Sequence, residues 1–575
     1  MATELISLGI LFVCAIIGGI IANKFKQPAV FGLLLVGALI GPNALNLVED
    51  ANMINIMAEF GAILILFIIG LEFDISKLMK IGARSILIGL LKFAIVLFFG
   101  YETTLLLGFG TKVALFIGVI LSFSSTVVVV KLLEQKEMFT RKEVPLLIAI
   151  LIIEDVIAVF ALTFFASVKD SGVGIISTLE HIIFALAILV AAYFITMKLL
   201  KSIVNAIMKN NSDESVLTFL SLGIGALFSY FAASLGLTPS AGAFLAGSLI
   251  ASLPNAREYG RAIHPYALIF TSIFIISMGT LISFDAVRSN AVLIGALIIT
   301  VLVSRFVAIG FLTYLFANFR DEQPFFSSIA MISVGEFSLL VAKQSEKFAL
   351  GVDLVSITAA IIFLSAIITS LGLNYSEKMH SSMGSKVPIR AKLKMERLAS
   401  YLRRFFDQTE IENFFTKKLK SESKKALLLG IIAVFASFIL RRIAILLESK
   451  LHFIFVYSFY VAASIILIYL LRLVYKRLKE VHHTLTIILT NVDSSRNPKK
   501  CAMILNNSLI ALVLFFSAML FPFVMFALNL TAIFNFVPFL LIIGTYYYIK
   551  RIVVLVDGSP HYAPSYKATL SMAKF

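Results

Sequence analysis

The chain has 575 residues, 60% of them hydrophobic and only 14% charged, with a formal charge of +16. So little charge leaves a soluble protein of this length short of polar surface, whereas a bilayer asks for runs of roughly 20 apolar residues, which fill this chain. The basic excess lies in short segments between those runs, where it reads as cytoplasm-facing topogenic charge and not as a nucleic-acid surface.

Thirteen spans are predicted before a polar break, near 5–22, 28–45, 54–72, 83–107, 112–131, 144–168 and 173–197. They continue near 215–236, 239–253, 265–283, 291–318, 324–343 and 354–375. Alternate loops carry the positive charge: Lys24 and Lys26, then Lys77, Lys80 and Arg84, then Lys136, Arg141 and Lys142. Lys198, Lys201 and Lys209, then Arg257 and Arg261, then Arg320 continue that side, while the opposite loops hold only Lys112, Lys169, Arg288 and Lys347. The positive-inside rule then places the N-terminus outside and residue 376 onward inside a multi-pass protein of the plasma membrane. Glu4 and the lack of a basic leading segment predict a retained first helix and no cleaved signal. Cys14 and Cys501 show no disulfide or metal spacing.

The expected division is a membrane domain over 1–380, a basic cytoplasmic connector over 381–424, an additional membrane module over 425–556 and a cytoplasmic tail over 557–575. Arg403, Arg404, Lys417, Lys418 and Lys420 suit the connector to anionic membrane lipid. The module holds apolar runs near 426–447, 453–474, 502–528 and 532–549, none with an acidic residue in mid-span.

An internal repeat relates segments about 1–168 and 215–375. Pro28 and Gly32 recur as Pro239 and Gly242, and Gly37-Ala38-Leu39-Ile40 as Gly247-Ser248-Leu249-Ile250. Pro42-Asn43 matches Pro254-Asn255, and Gly70 with Phe73-Asp74 matches Gly279 with Phe284-Asp285. Six spans and a linker span would set the copies in opposite orientation, the architecture of alternating-access transporters with a site at the midplane.

Glu154-Asp155 stands inside the apolar span Leu146–Phe165. A carboxylate at that depth costs about 2.5–3.5 kcal/mol even on the lenient insertion scale, so it marks a functional position. Adjacent residues point about 100° apart on a helix, so one can line a cavity while the other faces a protein partner. Arg305, central in its own span, demands a counter-ion, and pairing with Glu154 would leave Asp155 as the ion and proton carrier. Lys92 is a second basic residue within a span, to which the sequence assigns no role. Two polar breaks, Ser122-Phe123-Ser124-Ser125-Thr126 and Ser333-Val334-Gly335-Glu336-Phe337, fall at the repeat offset. Unwound backbone there would supply carbonyls for a cation and opposed helix ends that need neutralising. No phosphate loop, metal spacing or nucleophile–base arrangement appears, so neither an enzyme nor a cofactor is expected.

At these residues the chain resembles the monovalent cation:proton antiporters of the Kef and NapA type, the second cation:proton antiporter family. The matching stretches are Ile68-Ile69-Gly70-Leu71-Glu72-Phe73-Asp74, Ser124-Ser125-Thr126-Val127, Glu154-Asp155, Ala241-Gly242-Ala243-Phe244-Leu245-Ala246-Gly247 and Gly335-Glu336-Phe337. The resemblance implies an all-α polytopic fold of thirteen helices in inverted repeats, with two crossed broken helices, beyond which this chain adds about four helices. It also implies a homodimer, elevator-type exchange of protons for Na⁺ or K⁺, and Asp155 as the site of the monovalent cation and proton. Glu154, Ser125 and Thr126 would share that site, with Arg305 and Glu336 compensating charge. Glu154-Asp155 with Arg305 matches neither the two aspartates and lysine of electrogenic sodium members nor the glutamine-aspartate of potassium-linked ones. No βαβ pattern with a glycine-rich loop follows residue 376, so nucleotide gating of the Kef kind is not expected. Two other readings stay open at this level: a cation channel or efflux valve on the same fold, and a membrane sensor or scaffold.

Overall fold

Apolar runs of this length and composition leave the backbone only itself to bond with in lipid, and helices meet that demand within each segment. The computed structural model describes residues 2–25, 27–47, 51–72, 83–138, 140–167, 188–189, 191–199, 214–253, 256–317, 319–320, 322–384, 389–411, 413–448, 453–492, 498–528 and 535–557. The helices begin with α1 (Ala2–Lys24), α2 (Ala29–Ile40), α3 (Ala51–Glu72), α4 (Ala83–Leu106), α5 (Thr111–Ser122), α6 (Thr126–Gln135) and α7 (Val144–Ser167). They continue with α8 (Glu214–Ser234), α9 (Pro239–Ala251), α10 (Ala256–Thr280), α11 (Phe284–Ser289) and α12 (Ala291–Arg305). A π-helical turn, Phe306–Gly310, leads to α13 (Phe311–Phe316), followed by α14 (Gln323–Ala330), α15 (Glu336–Ser345) and α16 (Leu354–Gly384). The last five are α17 (Ile389–Glu410), α18 (Phe414–Glu448), α19 (Phe453–Val492), α20 (Pro498–Leu528) and α21 (Phe536–Asp557). Among the described residues nine helices are long and apolar enough to cross a membrane, and five more are shorter apolar helices. Most of the expected span near 173–197, and all of Phe73-Asp74, Pro254-Asn255 and the tail from 558, lie outside the described residues.

Two compact units divide the chain. The first comprises residues 1–314, 319–385 and 521–534, and the second residues 315–318, 386–520 and 535–575. In the first unit, the glycines of the sequence repeat explain the packing. A Cβ on Gly247 in α9 would lie 2.0 Å from the Phe67 carbonyl of α3, and one on Gly70 in α3 would lie 2.1 Å from the Phe244 carbonyl of α9. The matching residues make the exchanged contact: a Cβ on Gly37 in α2 would lie 2.4 Å from the Ile276 carbonyl, and one on Gly279 in α10 2.7 Å from the Leu34 carbonyl. Backbones this close admit only a hydrogen as side chain, the small-residue packing that membranes favour where apolar burial gives helices no reason to associate. Phe67, Leu217, Phe228, Leu249, Tyr259 and Ile263 close the core around α3, α8, α9 and α10.

The second unit departs from the expected spans in helix length. α18 has 35 residues and α19 has 40, whereas the apolar runs inside them are near 426–447 and 453–474. At 1.5 Å per residue α19 is about 60 Å long, twice the roughly 30 Å hydrocarbon layer. The polar extensions hold together by pairs between the two helices, Lys418 with Glu480 at 3.2 Å and Arg477 with Glu422 at 2.9 Å. A small core of Tyr401, Leu489, Cys501, Ile504, Leu505, Ile552 and Val556 seats α17 on α19, α20 and α21.

Candidate functional site

Two helices of the first unit break where the sequence turns polar. α5 ends at Ser122, Phe123 is extended, and Ser125 caps α6 by accepting a hydrogen bond from the Val128 N–H at 3.1 Å. α14 ends at Ala330, and α15 restarts after Gly335. The extended residues meet as a minimal antiparallel bridge, Ser124 opposite Val334. The Ser125 N–H donates to the Ser333 carbonyl at 3.0 Å and the Gly335 N–H to the Phe123 carbonyl at 3.2 Å. Gly335 is required at this crossing, since a Cβ there would sit 2.6 Å from the Ser124 carbonyl oxygen.

Breaking a helix in an apolar interior leaves its terminal groups without partners, and each orphan must be met by something other than water. Arg305 meets most of the carbonyl ends. Its Nη2 donates to the carbonyls of Leu121 at 2.8 Å and Phe123 at 2.7 Å. Its Nη1 donates to the Ser333 carbonyl at 2.7 Å, to Ser124 Oγ at 3.1 Å and to the Met331 carbonyl. Lys92 Nζ donates to the Ser122 carbonyl at 2.6 Å and the Ser338 hydroxyl to the Ile120 carbonyl at 2.6 Å. The carbonyls of residues 120 to 123 are therefore all satisfied, two helix C-terminal ends sharing one guanidinium. Each such end carries about half a negative charge, so one fixed cation between two of them is close to neutral. Arg305 stands at the last residue of α12, where the π turn begins, a local widening common at functional positions.

The carboxylates occupy distinct places. Glu154, 1% exposed, pairs through Oε1 with Lys92 Nζ at 2.7 Å, and its Oε2 accepts the Ser124 N–H at 2.8 Å. Asp155, 7% exposed, accepts a long hydrogen bond from Thr126 Oγ1 at 3.5 Å, at the N-terminal end of α6. Glu336 opens α15, and its Oε2 accepts the Ser125 hydroxyl at 3.1 Å. Anionic groups thus face both helix N-terminal ends, and cationic groups the C-terminal ends, as the macrodipoles require.

The structure brings Asp155, Glu154, Ser125, Thr126, Arg305 and Glu336 to one crossing. It corrects the expected pairing of Glu154 with Arg305: the ion pair of Glu154 is made with Lys92. Arg305 has its planar fork turned to backbone carbonyls of both broken helices, a task five fixed donors suit and an ammonium does not. Lys92, to which the sequence assigns no role, belongs to this crossing, and a fully buried lysine in mid-span is itself a demand for an anion. Outside the crossing, Arg141 in the link from α6 to α7 contacts Glu322 at 2.7 Å and Glu143 at 3.3 Å, with its guanidinium 4.0 Å from the Phe326 ring. That contact ties the start of the Asp155 helix to the start of α14.

Comparison with known proteins agrees with this arrangement. Residues 10–375 match the transmembrane sodium/hydrogen exchanger family. A K(+) efflux antiporter 5 of Arabidopsis thaliana is 28% identical over 341 residues, 58% of this chain and 60% of that protein. A Na(+)/H(+) antiporter of Enterococcus hirae is 27% identical over 377 residues, 64% of this chain and 97% of that protein. The fold resembles that of the sodium proton antiporter MjNhaP1 from Methanocaldococcus jannaschii, with a TM-score of 0.52 and 14% identity over 66% of this chain and 99% of that one. With its apolar helices, its polytopic all-α fold and a family match covering most of its length, the chain belongs to the transmembrane sodium/hydrogen exchanger family.

Proposed function

We propose that the protein is a secondary transporter that exchanges a monovalent cation, Na⁺ or K⁺, for protons across a cell membrane. The observation that carries this reading is Asp155: a buried carboxylate at the crossing of two broken helices, against the N-terminal end of one of them. A carboxylate there can hold a proton or a cation in turn, because each neutralises the charge that the apolar surroundings disfavour. Relatives named as Na(+)/H(+) and K(+) efflux antiporters support the reaction class. Thr126 and Ser125 supply hydroxyl oxygens beside the site, while Arg305 and Glu336 hold the helix ends balanced as the site changes its load. Alternating access follows by an elevator-type movement of the crossed helices against the rest of the fold, in a homodimer. The N-terminus lies outside and the tail inside, with the basic connector against anionic lipid. The membrane domain over 1–380 carries transport, and the module over 425–556 supports it.

The test is reconstitution into liposomes with an internal pH dye, challenged in turn with Na⁺, K⁺ and Li⁺. Cation-driven proton movement is expected from the wild type and its loss from Asp155→Asn, which cannot trade a proton for a cation. Substantial exchange by a well-folded Asp155→Asn protein refutes the assignment.

A further inference from the structure

Helix α20 is shared between the two units. Residues 386–520 cluster in the second unit and residues 521–534 in the first, and the passage falls beside Pro522 in the interior of the helix. A proline there has no N–H to give the carbonyl four residues back, that of Ala518, and its ring pushes the backbone aside, so the helix bends most readily at this point. Beyond the proline the contacts lead to the helices of the crossing. Phe523 lies edge-on to Phe164 at 5.4 Å and 6.5 Å from the Phe165 ring, both on α7, the helix of Asp155. Tyr101 of α4, the helix of Lys92, donates to Met525 Sδ at 3.9 Å. The row of rings continues inward: Phe165 stacks on Phe116 of α5 at 4.2 Å, and Phe116 lies 5.4 Å from Phe348, just after α15. The end of α20 is thereby joined to α7 and to a half of each broken helix.

Packed interfaces switch between discrete arrangements and do not deform continuously, so a moving α7 either carries Phe523 with it or loses the contact altogether. Losing it would part the Tyr101 hydroxyl from Met525 and open the packing over Tyr101, Phe165 and Met525, none of them more than 1% exposed. A joint at the unit boundary makes that separation unnecessary. Resting on the elevator-type reading, we propose that the end of α20 rides with the ion-carrying helices through the transport cycle and that Pro522 is the joint that permits it. The C-terminal module is then mechanically coupled to the movement of Asp155, and the stiffness of α20 enters the exchange rate. Binding at Asp155 does not need the contact, so removing it leaves exchange running.

Spin labels at exposed positions of the full chain report the movement, in a background of Cys14→Ala and Cys501→Ala. One pair joins Val524→Cys to Phe160→Cys on α7, and another joins Val524→Cys to Phe219→Cys on α8, outside the crossing. Between protein loaded with Na⁺ or K⁺ at alkaline pH and cation-free protein at acidic pH, the distance to α7 should hold and the distance to α8 should shift. A shift in the distance to α7 overturns the proposal. If neither distance changes in a protein that exchanges cations, the elevator movement fails and the proposal with it. Pro522→Ala restores the hydrogen bond to the Ala518 carbonyl and stiffens the joint, so exchange in liposomes should slow about fivefold, the equivalent of one backbone hydrogen bond of about 1 kcal/mol. Phe523→Ala alone should exchange near the wild-type rate. Added to Pro522→Ala it should return the rate toward wild type, which a merely structural role for the proline does not predict. A folded Pro522→Ala protein with the wild-type rate overturns the joint, and a slowed one that Phe523→Ala does not relieve overturns the coupling. Should Pro522→Ala fail to fold, the distances still decide. A folded wild type that exchanges nothing refutes the antiport reading instead.

Discussion

Replacing Arg305 with alanine tests whether one guanidinium holds the two broken helices together. Five acceptors lose a donor: the carbonyls of Leu121, Phe123, Met331 and Ser333, and Ser124 Oγ. They do not lose equally. Phe123 keeps the Gly335 N–H, Ser333 keeps the Ser125 N–H, and Ser124 Oγ keeps Lys92. The carbonyls of Leu121 and Met331 lose the donor described for them, and a buried group left unsatisfied costs about 1–3 kcal/mol. Two such groups, together with the cavity left by a fully buried side chain, give an expected loss of about 3–5 kcal/mol, the scale seen when a buried charge network is broken. Arg305→Lys should lose less, since an ammonium can reach one helix end but not fork between two. With no tryptophan in the chain, the melt is best followed in detergent by circular dichroism or by size exclusion of fluorescently tagged protein. Adding Glu154→Gln to Arg305→Ala should show only the modest coupling of neighbours that share Ser124, whereas Lys92→Met with Glu154→Gln, which removes a direct ion pair, should couple more strongly and recover part of the loss of the single changes. A wild-type melt for Arg305→Ala refutes the carbonyl-bridging role. Strong coupling of Arg305 to Glu154, with none between Lys92 and Glu154, refutes the pairing.

Gly247→Val sets side-chain atoms into the Phe67 carbonyl and should cost at least the upper end of the usual 1–3 kcal/mol for overpacking, whereas Gly295→Ala, with nothing within 4 Å of its Cβ, should gain about 0.5–1 kcal/mol of helix propensity. Yield of monodisperse protein and melting temperature check both. A chain truncated after Gly384 should keep exchange in liposomes but melt earlier, because residues 521–534 cluster with the first unit: Phe523 stacks edge-on against Phe164 at 5.4 Å, and Tyr101 bonds Met525 Sδ at 3.9 Å. A truncated protein that is folded yet inert refutes that division, and Phe523→Ala in the full chain should reproduce part of the stability loss without loss of exchange.

What could be read from the sequence is what local chemistry marks. Helix breaks announce themselves because serines and glycine replace apolar residues, and both breaks lie where Ser125 and Gly335 predicted them. The repeated glycines were visible as a pattern, and the structure gives the pattern its cause in the exchanged contacts of Gly37 with Gly279 and Gly70 with Gly247. The lengths of α18 and α19 were not visible, because their polar ends are stabilised by charges on the neighbouring helix and not by an apolar run.

The partner of Glu154 was illegible for a deeper reason. Two basic residues lay within spans, and counting side-chain charges alone favours arginine, the one that never gives up its proton. That count omits the acceptors a broken helix creates, since unpaired carbonyls have no letter in the sequence. Once α5 and α14 both break, several carbonyls from two chain segments converge on one point. A planar cation with five donors satisfies such a set, and a compact ammonium with three does not. Arg305 is thereby committed to the backbone. The remaining anion then falls to Lys92, whose three donors suit one carboxylate and two single acceptors. The pairing of charges at the crossing is thus a consequence of the helix breaks. Restoring both helices by substituting helix-forming residues at the two breaks would free Arg305 and reopen the competition for Glu154.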